Sequence, residues 1–162
     1  MIVVCDASPL IMLAKLNRLS VLSALLGDDI VVLDCVVREL LSDRAGPVEM
    51  ERLQTFLKGT QTPFFQGRVV TSQALSGSDQ SSLAWAIEHH ATWLVADDRL
   101  LRRIAKEHGI AVVGFCGLLA QSARIGILAP HEVQKDIDEA ITRHGLRISV
   151  RLYREILSSL GN

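Results

Sequence analysis

The sequence predicts an α/β fold: a central, mostly parallel sheet covered by helices on both faces in a three-layer α/β/α arrangement. Two observations carry this. Short runs rich in β-branched residues alternate with longer amphipathic segments, the pattern of strands joined by helical crossovers. The runs are also apolar almost without interruption, as strands are when neither sheet face meets water. They cover residues 2–5, 30–33, 92–96 and 111–113, with a weaker fifth at 68–70.

The helices between them follow from capping and breaking residues. Ser8-Pro9 sets a capping hydroxyl before a proline at a first helical position and opens a helix that runs through Lys15. Asp34 is expected to cap a helix over 35–41, and Pro47 to open another that ends near 57, before Gly59. Ser78 or Asp79 caps 80–90, and Asp98 begins 99–108, which Gly109 stops. From about 117 onward the chain reads as helical, with breaks at 126–130 and at His144-Gly145. Residues 60–67, containing Pro63 and Gly67, form the expected irregular loop.

A length of 162 residues suits one domain, 1–162, and a 49% apolar composition supplies a buried core. Seventeen basic residues against eighteen acidic ones leave a net charge of -1, which excludes a strongly basic nucleic-acid binder; any such contact must be local. The three cysteines, Cys5, Cys35 and Cys116, are far apart and suit neither a disulfide framework nor a zinc knuckle, so a reducing cytoplasm is expected. The apolar first 16 residues carry Asp6 where a leader would be uncharged, and they have no basic start. Asp28, Asp29 and Asp34 interrupt the richest apolar stretch, so no membrane span is expected.

Ligands of open parallel sheets bind outside the carboxyl ends of the strands. Asp6 directly follows the run 2–5, and Asp97 and Asp98 follow 92–96 in the same way. Glu39 projects from the flank of a helix whose apolar face is Val36, Val37, Leu40 and Leu41, and Asp79 starts the helix that buries Leu83, Ala84, Ala86 and Ile87. Carboxylates gathered at one rim repel unless a proton or a cation intervenes. Hard oxygen donors without a Cys/His cluster favour Mg²⁺ or Mn²⁺, the cations of phosphodiester hydrolysis. Each acid also has a plain structural reading. Asp79 and Asp98 can cap helices, and Glu39 can pair with Arg38 or Arg44. Asp6 is the hardest to assign a structural role, because a charge between Val3-Val4-Cys5 and Leu10-Ile11 needs a partner.

The order and spacing of Val3-Val4-Cys5-Asp6-Ala7-Ser8-Pro9-Leu10-Ile11, Val36-Val37-Arg38-Glu39-Leu40, Asp79 with Leu83-Ala84, and Leu94-Val95-Ala96-Asp97-Asp98 resemble the PIN-domain superfamily. Within it the chain is similar to a prokaryotic PIN-like subfamily that resembles VapC-type toxins. That likeness extends to Arg99, Arg102, the segment Gly114-Phe115-Cys116-Gly117-Leu118-Leu119 and the ending from Gly145 with Tyr153. The resemblance implies a PIN-like fold and a metal-dependent endoribonuclease, with Asp6, Glu39, Asp79 and Asp98 as the acidic quartet. Asp97 would join Asp6, Asp79 and Asp98 at Mg²⁺ or Mn²⁺, and Ser8 would position water or the first acid, unless it only caps. Two departures stand out. Ser76-Gly77-Ser78-Asp79-Gln80 replaces a glutamate-rich segment, and Ala96 stands where many members have Thr or Ser.

Arg99, Arg102, Arg103 and Lys106 make a basic helix beyond the last acids, suited to RNA phosphates, although Arg102 can instead pair with Asp98 one turn away. The helices carry more Leu, Ile and Val than one small domain covers, which points to a homodimer or to a groove for an antitoxin-like helix. The competing reading is a PIN-fold RNA- or protein-binding module without turnover. A receiver-like domain phosphorylated on Asp6 would need a second paired acid and a later lysine that the sequence does not show.

Overall fold

The computed structural model describes residues 1–42, 45–68 and 74–161. Four strands, β1 (Val3–Cys5), β2 (Ile30–Val31), β3 (Trp93–Val95) and β4 (Ala111–Val113), form one parallel sheet in the order β2-β1-β3-β4. The helices around it are α1 (Ala7–Lys15), α2 (Ser20–Leu26), α3 (Asp34–Leu40), α4 (Pro47–Leu57), α5 (Gly77–Glu88), α6 (Arg99–Glu107), α7 (Phe115–Arg124), α8 (Pro130–His144) and α9 (Val150–Leu160). The result is the three-layer α/β/α arrangement that the apolar strands imply. Val3, Val4, Cys5, Leu94 and Val95 are wholly buried because helices cover both sheet faces. Leu10, Leu13, Leu83, Leu101, Leu118 and Phe115 join them in the core, where each buried side chain of this size contributes roughly 1.5–3 kcal/mol.

The structure corrects several details. The helix after β1 starts at Ala7, so Asp6 takes the N-cap position and Ser8 lies exposed inside the first turn. Its cap is not a hydroxyl. Strand β2 is two residues long, because Val32 and Asp34 turn their N–H groups to the carbonyls of Gln61 and Pro63. Helix α2 was not anticipated; its sequence SVLSALL has too little polar contrast to show a period. Helix α3 begins at Asp34, whose carboxylate pairs with Arg38 at 3.0 Å. Helix α5 is capped by Ser76, whose Oγ accepts the N–H of Asp79 at 3.2 Å, and not by Ser78 or Asp79. Residues 61–68 are irregular apart from one bridge at Gln61, and positions 69 and 70 of the weak fifth strand lie outside the described residues. The helical C-terminal portion starts at Phe115 and breaks where expected, with Gly145 in the left-handed conformation (φ 71°) that ends α8. Among the described residues, no helix is long and apolar enough to cross a membrane.

Two ion pairs of Arg18 tie α8 to the first crossover. Arg18, between α1 and α2, donates Nε to Asp136 Oδ2 on α8 at 2.6 Å and a terminal nitrogen to Glu132 at 3.2 Å. Asp136 is only 5% exposed, so losing the guanidinium leaves a buried carboxylate without its counter-charge. Arg18→Met is expected to cost about 2–4 kcal/mol in urea unfolding. The double variant with Asp136→Leu should recover most of that loss, and equal losses in both would refute the account.

Candidate active site

Parallel pairing fixes the site. Strands β1 and β3 are neighbours in register, Cys5 opposite Val95, and the N–H of Asp6 donates to the carbonyl of Val95 at 2.9 Å. Both chains then leave the sheet at its carboxyl rim, into α1 and, through Ala96, Asp97 and Asp98, into α6. Asp6 and the Asp97-Asp98 pair therefore occupy the same rim.

Three carboxylates converge at its centre. Asp6 is 5% exposed, and its Oδ1 is fully buried without a hydrogen-bond partner among the described residues. Burial is the first cause that raises its pKa to about 7; the charge of Asp79 and then its side-chain hydrogen bond add to this, as does the charge of Glu39, while the N–H of Ala7 pulls the other way. Asp79 arrives on the first turn of α5 because Ser76 caps that helix, and Glu39 comes from the exposed flank of α3. The two helices are joined at this point, since Ser78 Oγ donates to Glu39 Oε2 at 3.1 Å and lies 3.1 Å from Ser76 Oγ. Sequence reading missed Ser76 and Ser78 as organisers of the site. Their signal lies in the Ser76-Gly77-Ser78-Asp79 string, where the sequence offers Ser78 or Asp79 as the cap and Asp79 as the acid.

The other two acids at the rim are engaged locally. Asp98 caps α6, its Oδ1 accepting the N–H of Leu101 at 2.8 Å. Asp97 Oδ1 accepts the N–H of Phe115, the first residue of α7, at 2.9 Å. Burial raises the pKa of Asp97, while that bond and the charge of Arg102 lower it. No ion pair joins Arg102 to Asp98 among the described residues, so the pairing considered from sequence is not formed; the guanidinium lies towards Asp97 and Gly114 instead. Burial pushes the nearby Cys116 thiol up to about 12, and Asp97 adds to this, so the thiol stays protonated. Ser8 and Arg99 are exposed on either side of the rim, on the first turns of α1 and α6.

Thus Asp79 and Glu39 come close enough to Asp6 to act on its charge, while Asp97 and Asp98 stand beside them with their carboxylates turned to helix ends. The donor set suits a hard divalent cation, and Asp6 Oδ1 has no hydrogen-bond partner among the described residues. In the present rotamers, no three Asp, Glu, His or Cys side chains among the described residues are close enough to grip one ion.

A family model described as a PIN domain matches residues 2–162. No curated protein matches the sequence. Among solved structures the chain is similar to a PilT N-terminus domain protein from the hyperthermophilic archaeon Sulfolobus solfataricus P2. The two are 20% identical with a TM-score of 0.56, over 75% of this chain and 93% of that one. At that identity the likeness bears on the fold alone.

Two outcomes follow from this geometry. The Asp6 carboxyl titrates near 3.8 in an unfolded chain and near 7 when folded, so the folded protein holds the extra proton between those values. Its contribution to stability is complete below the lower value and is lost as pH rises through the upper one. Thermal melts in EDTA should fall between pH 4.5 and 7.5 by roughly a few kcal/mol, and Asp6→Asn should flatten that slope. At the other corner, a Cβ on Gly114 would stand 2.5 Å from Asp97 Oδ1 and 3.3 Å from the Ala96 carbonyl. Gly114→Ala is expected to cost about 1–3 kcal/mol and to speed hydrogen exchange at the Phe115 amide. An unchanged amide would show that Asp97 does not hold that corner.

Proposed function

This chain belongs to the PIN-domain family, whose members are typically nucleases, and from that premise we propose that it is a divalent-metal-dependent endoribonuclease. The observation that supports this best is the buried, unpartnered carboxylate oxygen of Asp6, flanked by Asp79 and Glu39 from two other elements. Such an arrangement is costly without a proton or a cation. Asp6, Asp79 and Asp98, with Asp97 beside them, would hold Mg²⁺ or Mn²⁺, and Glu39 would complete the catalytic quartet. When bound, the cation supplies Lewis acidity and charge neutralisation for an in-line displacement at phosphorus.

The protein's own groups set the geometry of that displacement. Ser78 ties Glu39 of α3 to the first turn of α5, which Ser76 caps at the Asp79 N–H, so the acids from α3 and α5 would act on the same side of a substrate. Asp6 can hold or release a proton near neutral pH, as a group assisting hydrolysis should. Ser8, Arg99 and Arg102 would contact phosphates of the RNA beside the acids, the two arginines offsetting some of the negative charge there. We assign the chain as one domain over 1–162, acting as the toxin of a toxin–antitoxin pair in the cytoplasm. Exposed Ile125, Val150 and Leu152 on and beside the C-terminal helices support a homodimer or a bound antitoxin helix.

The open spacing of the acids and the capping role of Asp98 favour a second reading, a PIN-fold module that binds RNA or protein without turnover. The two separate in one assay with labelled single-stranded RNA. The enzyme should cut it with Mn²⁺ and not with EDTA, and Asp6→Asn should lower the rate by at least about a hundredfold, the scale of losing one acid–base group. Full cleavage by that variant would reject the site, and retention of RNA without cleavage under any metal would select the binding module.

A further inference from the structure

Helices α3 and α5 pack side by side and run antiparallel. Ser78, in the first turn of α5, donates to Glu39 near the end of α3 at 3.1 Å, and a turn further on Ser81 lies against the thiol of Cys35 at the start of α3. The seam between the two helices therefore begins at the acids. It leads towards a group of rings at the far end of α5. There His89, the C-cap residue, stacks on Trp85 with ring centroids 3.9 Å apart and planes 9° from parallel. Its Nδ1–H donates to the Trp85 carbonyl at 2.9 Å, and Phe65 stands edge-on to it at 6.5 Å. Phe65 is itself held in place. In its loop Gln61 donates to the Ile30 carbonyl of β2 and Pro63 accepts from the Asp34 N–H, while Gly67 leaves room for the phenyl ring. Trp85 is only 7% exposed but His89 is open to solvent, so the imidazole is covered on one face and still meets water.

We propose that this seam is a track for single-stranded RNA, in which one base stacks on the open face of His89 and the strand continues over Arg38 to the acids. The inference rests on the ribonuclease reading of those acids. Three contacts fix the imidazole before any base arrives, so stacking costs it little side-chain entropy. Every base offers a π face, so such a platform holds RNA without reading its sequence. Between the ring and the acids, Arg38 carries the charge that a phosphate needs. It acts on the Cys35 thiol in the seam, its side chain is 67% exposed, and its pairing with Asp34 at 3.0 Å is of the weak surface kind that a phosphate can replace. From Asp79 to His89 the helix rises about 15 Å. That is the span of a few nucleotides of extended strand, so the stacked base lies outside the bond that is cut.

The test is fluorescence anisotropy of the full chain with a labelled oligoadenylate and with an abasic oligoribonucleotide of the same length, using Ca²⁺ in place of Mn²⁺ so that binding is read apart from cleavage. His89→Ala should weaken oligoadenylate binding at least about fivefold, the scale of one lost base stack, and leave the abasic strand unaffected. His89→Phe keeps a ring without the Nδ1–H and should restore most of that affinity. Arg38→Gln should weaken both strands alike. The proposal is overturned if the protein binds the two strands equally or binds neither, if His89→Ala changes nothing, or if its loss is the same for both strands and His89→Phe does not recover it. The last result would make His89 a support for α5 alone. Cleavage in Mn²⁺ separates the track from the reading it rests on. Base-dependent binding through His89 with no cut keeps the track and removes the nuclease; metal-dependent cutting with no base-dependent binding does the reverse.

Discussion

Every feature of the site depends on confining like charges at the end of a parallel sheet. The hydrogen bond from Asp6 N–H to Val95 carries the β1–β3 ladder one residue past the last paired side chains. It thereby fixes the first acid where the sheet stops and helices begin. Hydrophobic burial of Val3, Val4, Leu94 and Val95 drives that pairing, so the energy that places Asp6 out of water comes from the core below it. Asp79 and Glu39 are brought in from α5 and α3 by a few hydrogen bonds among serines. Those bonds are individually worth about 1 kcal/mol, too little to impose such an arrangement without the packing of α3 and α5 beneath them.

The neighbouring corner of the rim resolves the same problem differently. Asp97 meets the N–H of Phe115 at the start of α7, and Asp98 meets that of Leu101 in α6. Each of these acids accepts a helix N–H, whereas Asp6, although it stands at the N-cap of α1, keeps one buried oxygen that accepts no hydrogen bond among the described residues. The missing Cβ of Gly114 makes room for Asp97. One rim therefore holds acids engaged by helix N–H groups and one, Asp6, with a buried oxygen that accepts no hydrogen bond among the described residues.

The strands, the crossover pattern and the positions of Asp6, Asp97 and Asp98 at the sheet rim could be read from the sequence because they rest on local signals: β-branched runs, and charges set immediately after them. What stayed hidden was decided by tertiary contacts. Helix α2 has hardly any polar face to betray its period, and β2 gives up Val32 and Leu33 to the loop at Gln61 and Pro63. The true cap of α5 was Ser76, since Ser78 and Asp79 were drawn towards Glu39 and Asp6. Whether a carboxylate is a cap or a free ligand cannot be told from its position after a strand. Asp6 and Asp98 follow equivalent strands, yet only Asp98 bends back to its own helix.

Charge finally links the acids to any RNA they meet. With a net charge of -1 the protein has no general field to draw in a polyanion, and the centre of the rim is itself negative. A phosphate entering there without a cation would face Asp6, Asp79 and Glu39 together, with Lys15, Arg99 and Arg102 among the described residues at the margins to offset them. On the reading proposed above, a divalent ion would remove both repulsions at once, that among the acids and that between acids and phosphate. Ion and RNA would then strengthen each other's binding by the same factor, whichever arrived first. Such coupling would favour acids that do not close fully around the ion, because a closed pocket would leave less of its charge for the substrate.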